Sequence, residues 1–207
     1  MIYITSKNQP RKVSFLTFRI NEVPFRLDSR YIYDTLYFSP KNSQEFRESL
    51  KVNITYLYPE LHWLPSRDNN SRRNRLQENS VILRLSKQAP VRENGNFECI
   101  KSKKGVQEVA NDIDVASVKK LEYIYDQNKP SVMDVDYYFY NNGVAWMECT
   151  PKNRTEYSAY NSCRLKFTYK GIYIDAFFDR TYKADFLSIM QSARDLLASF
   201  EVDLNKP

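Results

Sequence analysis

Tyr137-Tyr138-Phe139-Tyr140-Asn141-Asn142-Gly143-Val144-Ala145-Trp146-Met147-Glu148-Cys149 and, after a polar stretch, Cys163-Arg164-Leu165-Lys166-Phe167-Thr168-Tyr169-Lys170-Gly171-Ile172-Tyr173-Ile174-Asp175-Ala176 decide the fold. Asn142-Gly143 reads as a two-residue hairpin turn, since a type I′ turn needs positive φ at both central positions. It sets Tyr140 against Ala145 and Tyr138 against Met147. Lys170-Gly171, read the same way, sets Tyr169 against Ile172, Phe167 against Ile174 and Leu165 against Ala176. Antiparallel closure around the polar loop from Thr150 to Ser162 then places Ala145 by Phe167, Met147 by Leu165 and Cys149 by Cys163. These side chains share one face, while Arg164, Lys166, Thr168 and Lys170 point to the other, as in an antiparallel sheet with one buried side.

A cover for the apolar face follows directly. From Ala184 to Phe200, the residues Phe186, Leu187, Ile189, Met190, Ala193, Leu196, Leu197 and Phe200 recur at helical spacing, with Asp185, Gln191, Arg194 and Asp195 opposite. The spacing predicts an amphipathic helix lying on a four-strand meander, and Asp185 in its first turn suits the positive end of the helix dipole. The fold class is α+β, with antiparallel sheets.

The register also bears on the cysteines. Opposed at a non-hydrogen-bonded pair, Cys149 and Cys163 would have Cα atoms about 4.5 to 5.5 Å apart, a span that a disulfide bridges. A disulfide and two buried thiols both satisfy that geometry. Cys99, among charged and polar residues, reads as a spare thiol. A metal site is not expected, because the chain has one histidine and no Cys-x-x-Cys pair.

The first half has weaker punctuation. Phe15 to Ile20 alternates and runs into Val23-Pro24-Phe25, where a strand ends or turns. Leu50, Val52, Ile54, Tyr56 and Tyr58 alternate with polar residues and give a second strand. An aromatic loop bounded by prolines, Tyr58 to Pro65, leaves it. Ser66 to Ser80, rich in Asn and Arg, reads as an exposed loop, and Val81 to Leu85 as another strand. In the middle, Val106, Val109, Ala110, Ile113 and Val118 have partial helical spacing, and Lys119 to Tyr125 fits a helix end or a strand. Two readings of the organisation follow: two α+β halves, 1–105 and 106–207, or one domain carrying an insertion.

With 207 residues, 16 Tyr, 12 Phe and only 4 Gly, the chain can bury a sizeable core and favours strands. No apolar run approaches the roughly 20 residues needed to cross a bilayer. Met1-Ile2-Tyr3-Ile4 followed by a basic stretch, Lys7 to Lys12, reads as the remnant of an N-terminal signal or membrane anchor. The net charge of +6 permits an acidic partner. Two clusters carry much of it, Arg67, Arg72, Arg73 and Arg75, then Lys101, Lys103 and Lys104. Nucleic acid is one such partner, with tyrosines to stack on bases. No nucleic-acid-binding motif accompanies them, which favours solvated faces or an acidic protein.

No catalytic constellation appears. His62 stands between Leu61 and Trp63 as a packing or contact residue, no Gly-x-Ser-x-Gly elbow exists, and the four glycines are scattered. The carboxylate pairs Asp112 with Asp114, and Asp134 with Asp136, read as turn and solvent-facing residues.

The order of these segments carries a resemblance. Phe15 to Phe25 leads through a proline, a strand ends in Tyr58-Pro59-Glu60-Leu61-His62, and Trp146-Met147-Glu148-Cys149 precedes Cys163-Arg164-Leu165-Lys166-Phe167. The final helix ends Leu196-Leu197-Ala198-Ser199-Phe200. This order resembles the periplasmic immunity proteins that bacteria pair with type VI secretion effectors, lipase effectors included. The resemblance implies a non-enzymatic, cofactor-free periplasmic protein whose partner is a cognate effector toxin, blocked by occluding its active site or substrate entry. Aromatic and arginine side chains anchor most protein interfaces, so the contact residues expected are His62, Trp63, Arg67, Arg72, Arg73 and Arg75.

Overall fold

The computed structural model describes residues 15–32, 47–48, 51–62, 79–87, 97–123, 135–151 and 161–203. Strands β1 (Phe15–Ile20) and β2 (Val23–Asp28) form a hairpin, which β3 (Arg47–Glu48) extends to a three-stranded sheet. The hairpin turn is Asn21-Glu22, both at positive φ (47° and 65°), so the chain reverses before Val23 rather than at the proline. Pro24 fits because β2 is an edge strand, where its missing N–H breaks no ladder. The Asn21 amide donates to the carbonyls of Gly171 (2.6 Å) and Lys87 (3.2 Å), fastening this turn to the main sheet.

The main sheet has eight antiparallel strands: β4 (Lys51–Leu57), β5 (Ser80–Ser86), β6 (Val106–Val109), β7 (Val118–Tyr123), β8 (Asp136–Tyr140), β9 (Ala145–Cys149), β10 (Ser162–Tyr169) and β11 (Ile172–Asp179). Their spatial order is β4-β5-β11-β10-β9-β8-β7-β6, so strands from either side of residue 105 share one sheet. The meander holds the expected register: Tyr138 faces Met147, Leu165 faces both Met147 and Ala176, and Cys163 faces Cys149. Lys170 and Gly171 take positive φ (47° and 75°), as a two-residue primed turn requires. The earlier turn differs. Asn141 to Val144 make a four-residue connection with a 3₁₀ turn over Asn141–Gly143, and because both loop lengths pair Tyr140 with Ala145 the register is unchanged.

Helix α1 (Phe97–Lys101) precedes β6, and α2 (Phe186–Phe200) follows a 3₁₀ turn over Arg180–Asp185. The partial helical spacing from Val106 to Val118 yields strands instead. Val106 packs against the cluster of Ile100, Leu121, Phe139 and Trp146 on one side of the sheet, while Ile113 joins the main core on the other. Pairing of Val118 to Leu121 with β8 makes Lys119 to Tyr123 part of a strand, and residues 124 and 125 lie outside the described residues.

The main core lies between one sheet face and a cover made of α2 and the small sheet. It joins Phe18, Phe25 and Leu27 to Ile54, Leu83, Met147, Leu165, Ile174, Ile189 and Leu197. The cover is closed at its end, where the Val202 amide donates to the Pro24 carbonyl and Tyr31 packs edge-on against Phe200. Within this core Cys149 and Cys163 form a disulfide, with Cα atoms 4.1 Å apart, while Cys99 stays exposed on α1. The bridge closes a short loop of sequence separation 14, a constraint on the unfolded chain worth about 3 kcal/mol. Thiol titration of the denatured, non-reduced protein is expected to count one thiol, and three after reduction. Replacing both bridged cysteines with alanine is expected to lower the free energy of urea unfolding by about 3 kcal/mol.

Candidate functional site

The loop after β4 starts from a fixed base. The Leu57 amide donates to the His62 carbonyl at 2.7 Å, the Leu61 amide to the Leu57 carbonyl at 2.8 Å, and the Tyr31 hydroxyl to the Leu61 carbonyl at 3.0 Å. Tyr58 donates its amide to Asn79 at the returning end of the loop (2.8 Å) and packs its ring edge-on against Tyr182. The Tyr58-Pro59 bond is cis, and Leu61 takes positive φ. His62 is thereby presented exposed at the rim of the sheet, next to β4. Trp63 and Arg67, Arg72, Arg73 and Arg75 lie outside the described residues. Of the second basic cluster, Lys101 is committed to Glu108 at 2.7 Å, and Lys103 and Lys104 are exposed.

The sheet face away from the main core is not the simple solvated face that alternation suggests. Phe97, Ile100, Leu121, Phe139 and Trp146 form a second apolar cluster on it, and Lys166 is fully buried beside them. A repeated pattern explains how a lysine and an arginine are accommodated. Each cation lies over the ring directly opposite it on a neighbouring strand: Lys166 over Trp146 at 3.7 Å, and Arg164 over Phe177 at 5.2 Å. Each also takes the diagonal carboxylate. Lys166 meets Glu148 at 2.9 Å, and Arg164 grips Asp175 with Nε at 2.7 and 2.8 Å from its two oxygens. Ring quadrupole and carboxylate together replace the water that burial removes. The signal was present in the sequence, because the register that sets Leu165 against Ala176 also sets Lys166 against Asp175.

A second charged group sits where the 3₁₀ turn before α2 meets β7 and β8. Arg180 reaches Asp136 at 3.5 Å, Lys183 bonds Asp112 (2.6 Å) and the Tyr138 hydroxyl (3.2 Å), and Lys120 contacts Asp112 (3.4 Å) and Glu122. Asp112 is exposed as expected of a turn residue, whereas Asp136 is buried: as first residue of β8 it sits opposite Cys149, on the covered face. Burial pushes the Asp136 carboxyl above its ordinary range despite the nearby Lys120 and Arg180 charges. For Asp112 burial also raises, but the Lys183 bond and the Lys183 and Lys120 charges outweigh it and hold the carboxyl low. Among the described residues, no three His, Cys, Asp or Glu side chains converge as a metal site would need.

Two predictions follow from these charges. The folded state holds the Asp136 proton more tightly than the unfolded chain does. Asp136 therefore removes stability as pH rises from about 4 to its raised value, and Asp112 adds stability over the range below about 4. Urea unfolding across pH 3 to 7 (roughly the span that brackets both groups) is expected to show Asp136→Asn gaining on the wild type as pH rises, and Asp112→Asn losing. On the polar face, Glu148→Ala takes a carboxylate from the buried Lys166 and should cost about 3 kcal/mol, whereas Lys166→Met should change stability by under about 1 kcal/mol. Equal costs for the two would contradict this account.

No protein-family model matches the chain, and no curated protein does. Solved structures with the same fold include Smlt3025, an immunity protein of the Stenotrophomonas maltophilia type IV secretion system. At 10% identity it aligns over 97% of this chain and 100% of its own, with a TM-score of 0.58. Another is the iron-regulated outer membrane lipoprotein FrpD of Neisseria meningitidis, at 14% identity, 90% and 92% coverage and a TM-score of 0.53. At such identities the likeness is one of fold: an α+β chain built on a large antiparallel sheet.

Proposed function

We propose that the chain is an immunity-type inhibitor, a non-enzymatic protein that binds a secreted antibacterial toxin and blocks it sterically. The observation that supports this reading is the end-to-end fold match with Smlt3025, itself an immunity protein, over 97% and 100% of the two chains. The sequence order resembles immunity proteins of type VI effectors, while Smlt3025 belongs to a type IV system, so the reading rests on immunity rather than on one secretion type. A location outside the cytoplasm, the periplasm in particular, is part of the proposal. Buried disulfides such as Cys149–Cys163 persist chiefly in oxidising compartments, and FrpD is an outer membrane lipoprotein.

In this reading the sheet is the scaffold and the loop after β4 is the contact surface. His62 opens it at a rigid rim, Trp63 supplies an aromatic anchor, and Arg67, Arg72, Arg73 and Arg75 supply charge that steers encounter with an acidic toxin surface. The partner is expected to be encoded beside this protein.

Purified protein should form a stable complex with the product of the adjacent gene and suppress its toxicity on co-expression. Changing Arg67, Arg72, Arg73 and Arg75 together to glutamate should slow association about tenfold or more at low salt, with a smaller effect at high salt. Absence of any complex with the wild-type protein would falsify the reading. Tight, steeply salt-dependent binding to DNA or RNA would favour a nucleic-acid-binding role in its place.

A further inference from the structure

Among the described residues, Arg84 is a cation of the polar face that meets no carboxylate. Arg84 lies on β5 directly opposite Asn53 of β4 on one side and Asp175 of β11 on the other. The Asp175 carboxylate is already gripped by Arg164, and Glu148 serves Lys166. Among the described residues the acid beside Arg84 is thus already taken, and Arg84 is left without a carboxylate. Its Nε is buried with no hydrogen-bond acceptor among the described residues, and the same burial without a partner holds for Asn53 Oδ1 and, two residues along β4 on the same face, Thr55 Oγ1. Unmet buried polar atoms are costly to keep, and here three lie side by side on adjacent strands.

The group is held in place at a partly exposed point of the sheet, with Thr55 itself buried. The Arg84 guanidinium lies over the Phe177 ring at 5.0 Å, sharing that ring with Arg164 at 5.2 Å. Arg84, Asn53 and Phe177 each keep part of their surface exposed.

We propose that Arg84, Asn53 and Thr55 form a binding site for a carboxylate. The guanidinium presents a planar fork of donors that matches the two oxygens of a carboxylate. Half a turn of the Asn53 amide offers Nδ2 as a further donor, and the Thr55 hydroxyl offers another. Charge selects the same ligand. A carboxylate carries the single negative charge that matches the one Arg84 guanidinium, whereas a phosphate near pH 7 carries closer to two and would be repelled more strongly by the adjacent Asp175. Two sources supply a carboxylate, an aspartate or glutamate side chain of another protein and a free small acid. The site stands whether or not the immunity reading holds.

Proton–nitrogen correlation spectra of the arginine Nε–H groups of the full chain, titrated with acetate, with a blocked Gly-Glu-Gly peptide and with inorganic phosphate, test this directly. The Arg84 signal is expected to move saturably with acetate, beyond every other arginine signal and more than with phosphate, and Arg84→Gln should remove that response while the chain stays folded. Saturation by the peptide as well would assign the site to a protein side chain, and saturation by acetate alone to a small acid. The proposal is overturned if the Arg84 signal does not move with either carboxylate, if all arginine signals move together, or if phosphate moves it more.

Discussion

Everything in this molecule depends on the register of the β8 to β11 meander. Side chains alternate across a strand with a period of two, so a slip of one residue in β10 would carry Arg164, Lys166 and Thr168 into the main core. It would also carry Cys163, Leu165 and Phe167 out of it. Two things forbid that slip. The Lys170-Gly171 turn fixes β10 against β11, with positive φ at both of its central residues, and the Cys149–Cys163 bridge fixes β9 against β10 covalently. With both neighbours of β10 locked, the apolar row reaches β5 through Ile174 and Leu85 and then β4 through Val52, and the sheet widens without a choice of register remaining.

The two faces solve their burial problems differently. The main face removes apolar surface from water under α2 and the small sheet, by ordinary packing of Phe, Leu, Ile and Met, and the polar tips of the buried tyrosines are met by partners, as the Tyr56 hydroxyl is at 3.1 Å from Ser192. Among the described residues the other face is covered by α1 and its short apolar cluster alone. There, buried charge is held by a lattice in which each cation takes a ring straight across and a carboxylate on the diagonal. The lattice depends on the same register as the core, because the ring and the acid each cation meets are set by which residues stand opposite. Fold and electrostatics are thus two consequences of one alignment.

Much of this is legible in sequence, and the reason is local. The pairings of Tyr138 with Met147, of Leu165 with Ala176 and of Cys149 with Cys163 follow from two turn signals and alternation, and the helical spacing of Phe186 to Leu197 names the buried residues of α2. What sequence reading missed depends on contacts distant along the chain. The Asn21-Glu22 reversal has no glycine to announce it and is secured by Asn21 bonding across 150 residues to Gly171. The stretch from Val106 to Ile113 shows helical spacing because its apolar residues serve two clusters on opposite sides of the sheet. Asp136 reads as a turn residue in the sequence, whereas it begins β8 opposite Cys149. Of the expected contact residues, sequence could nominate types but not positions, and the structure places His62 alone, at the rim where β4 ends.

The polar face departs furthest from what stability alone would choose. A strand position facing a half-covered surface is usually filled by an apolar or β-branched side chain, and buried ion pairs are seldom better for stability than well-packed apolar residues of the same volume. Asn53, Arg84 and Thr55 go further, since their buried polar atoms have no partners among the described residues. Local rules broken together, in a sheet whose other face obeys them closely, are what a surface shaped for recognition leaves behind. The large sheet makes that possible: with β4 and β5 held in register by the core beneath, side chains on the far face can be spent on a ligand without putting the fold at risk.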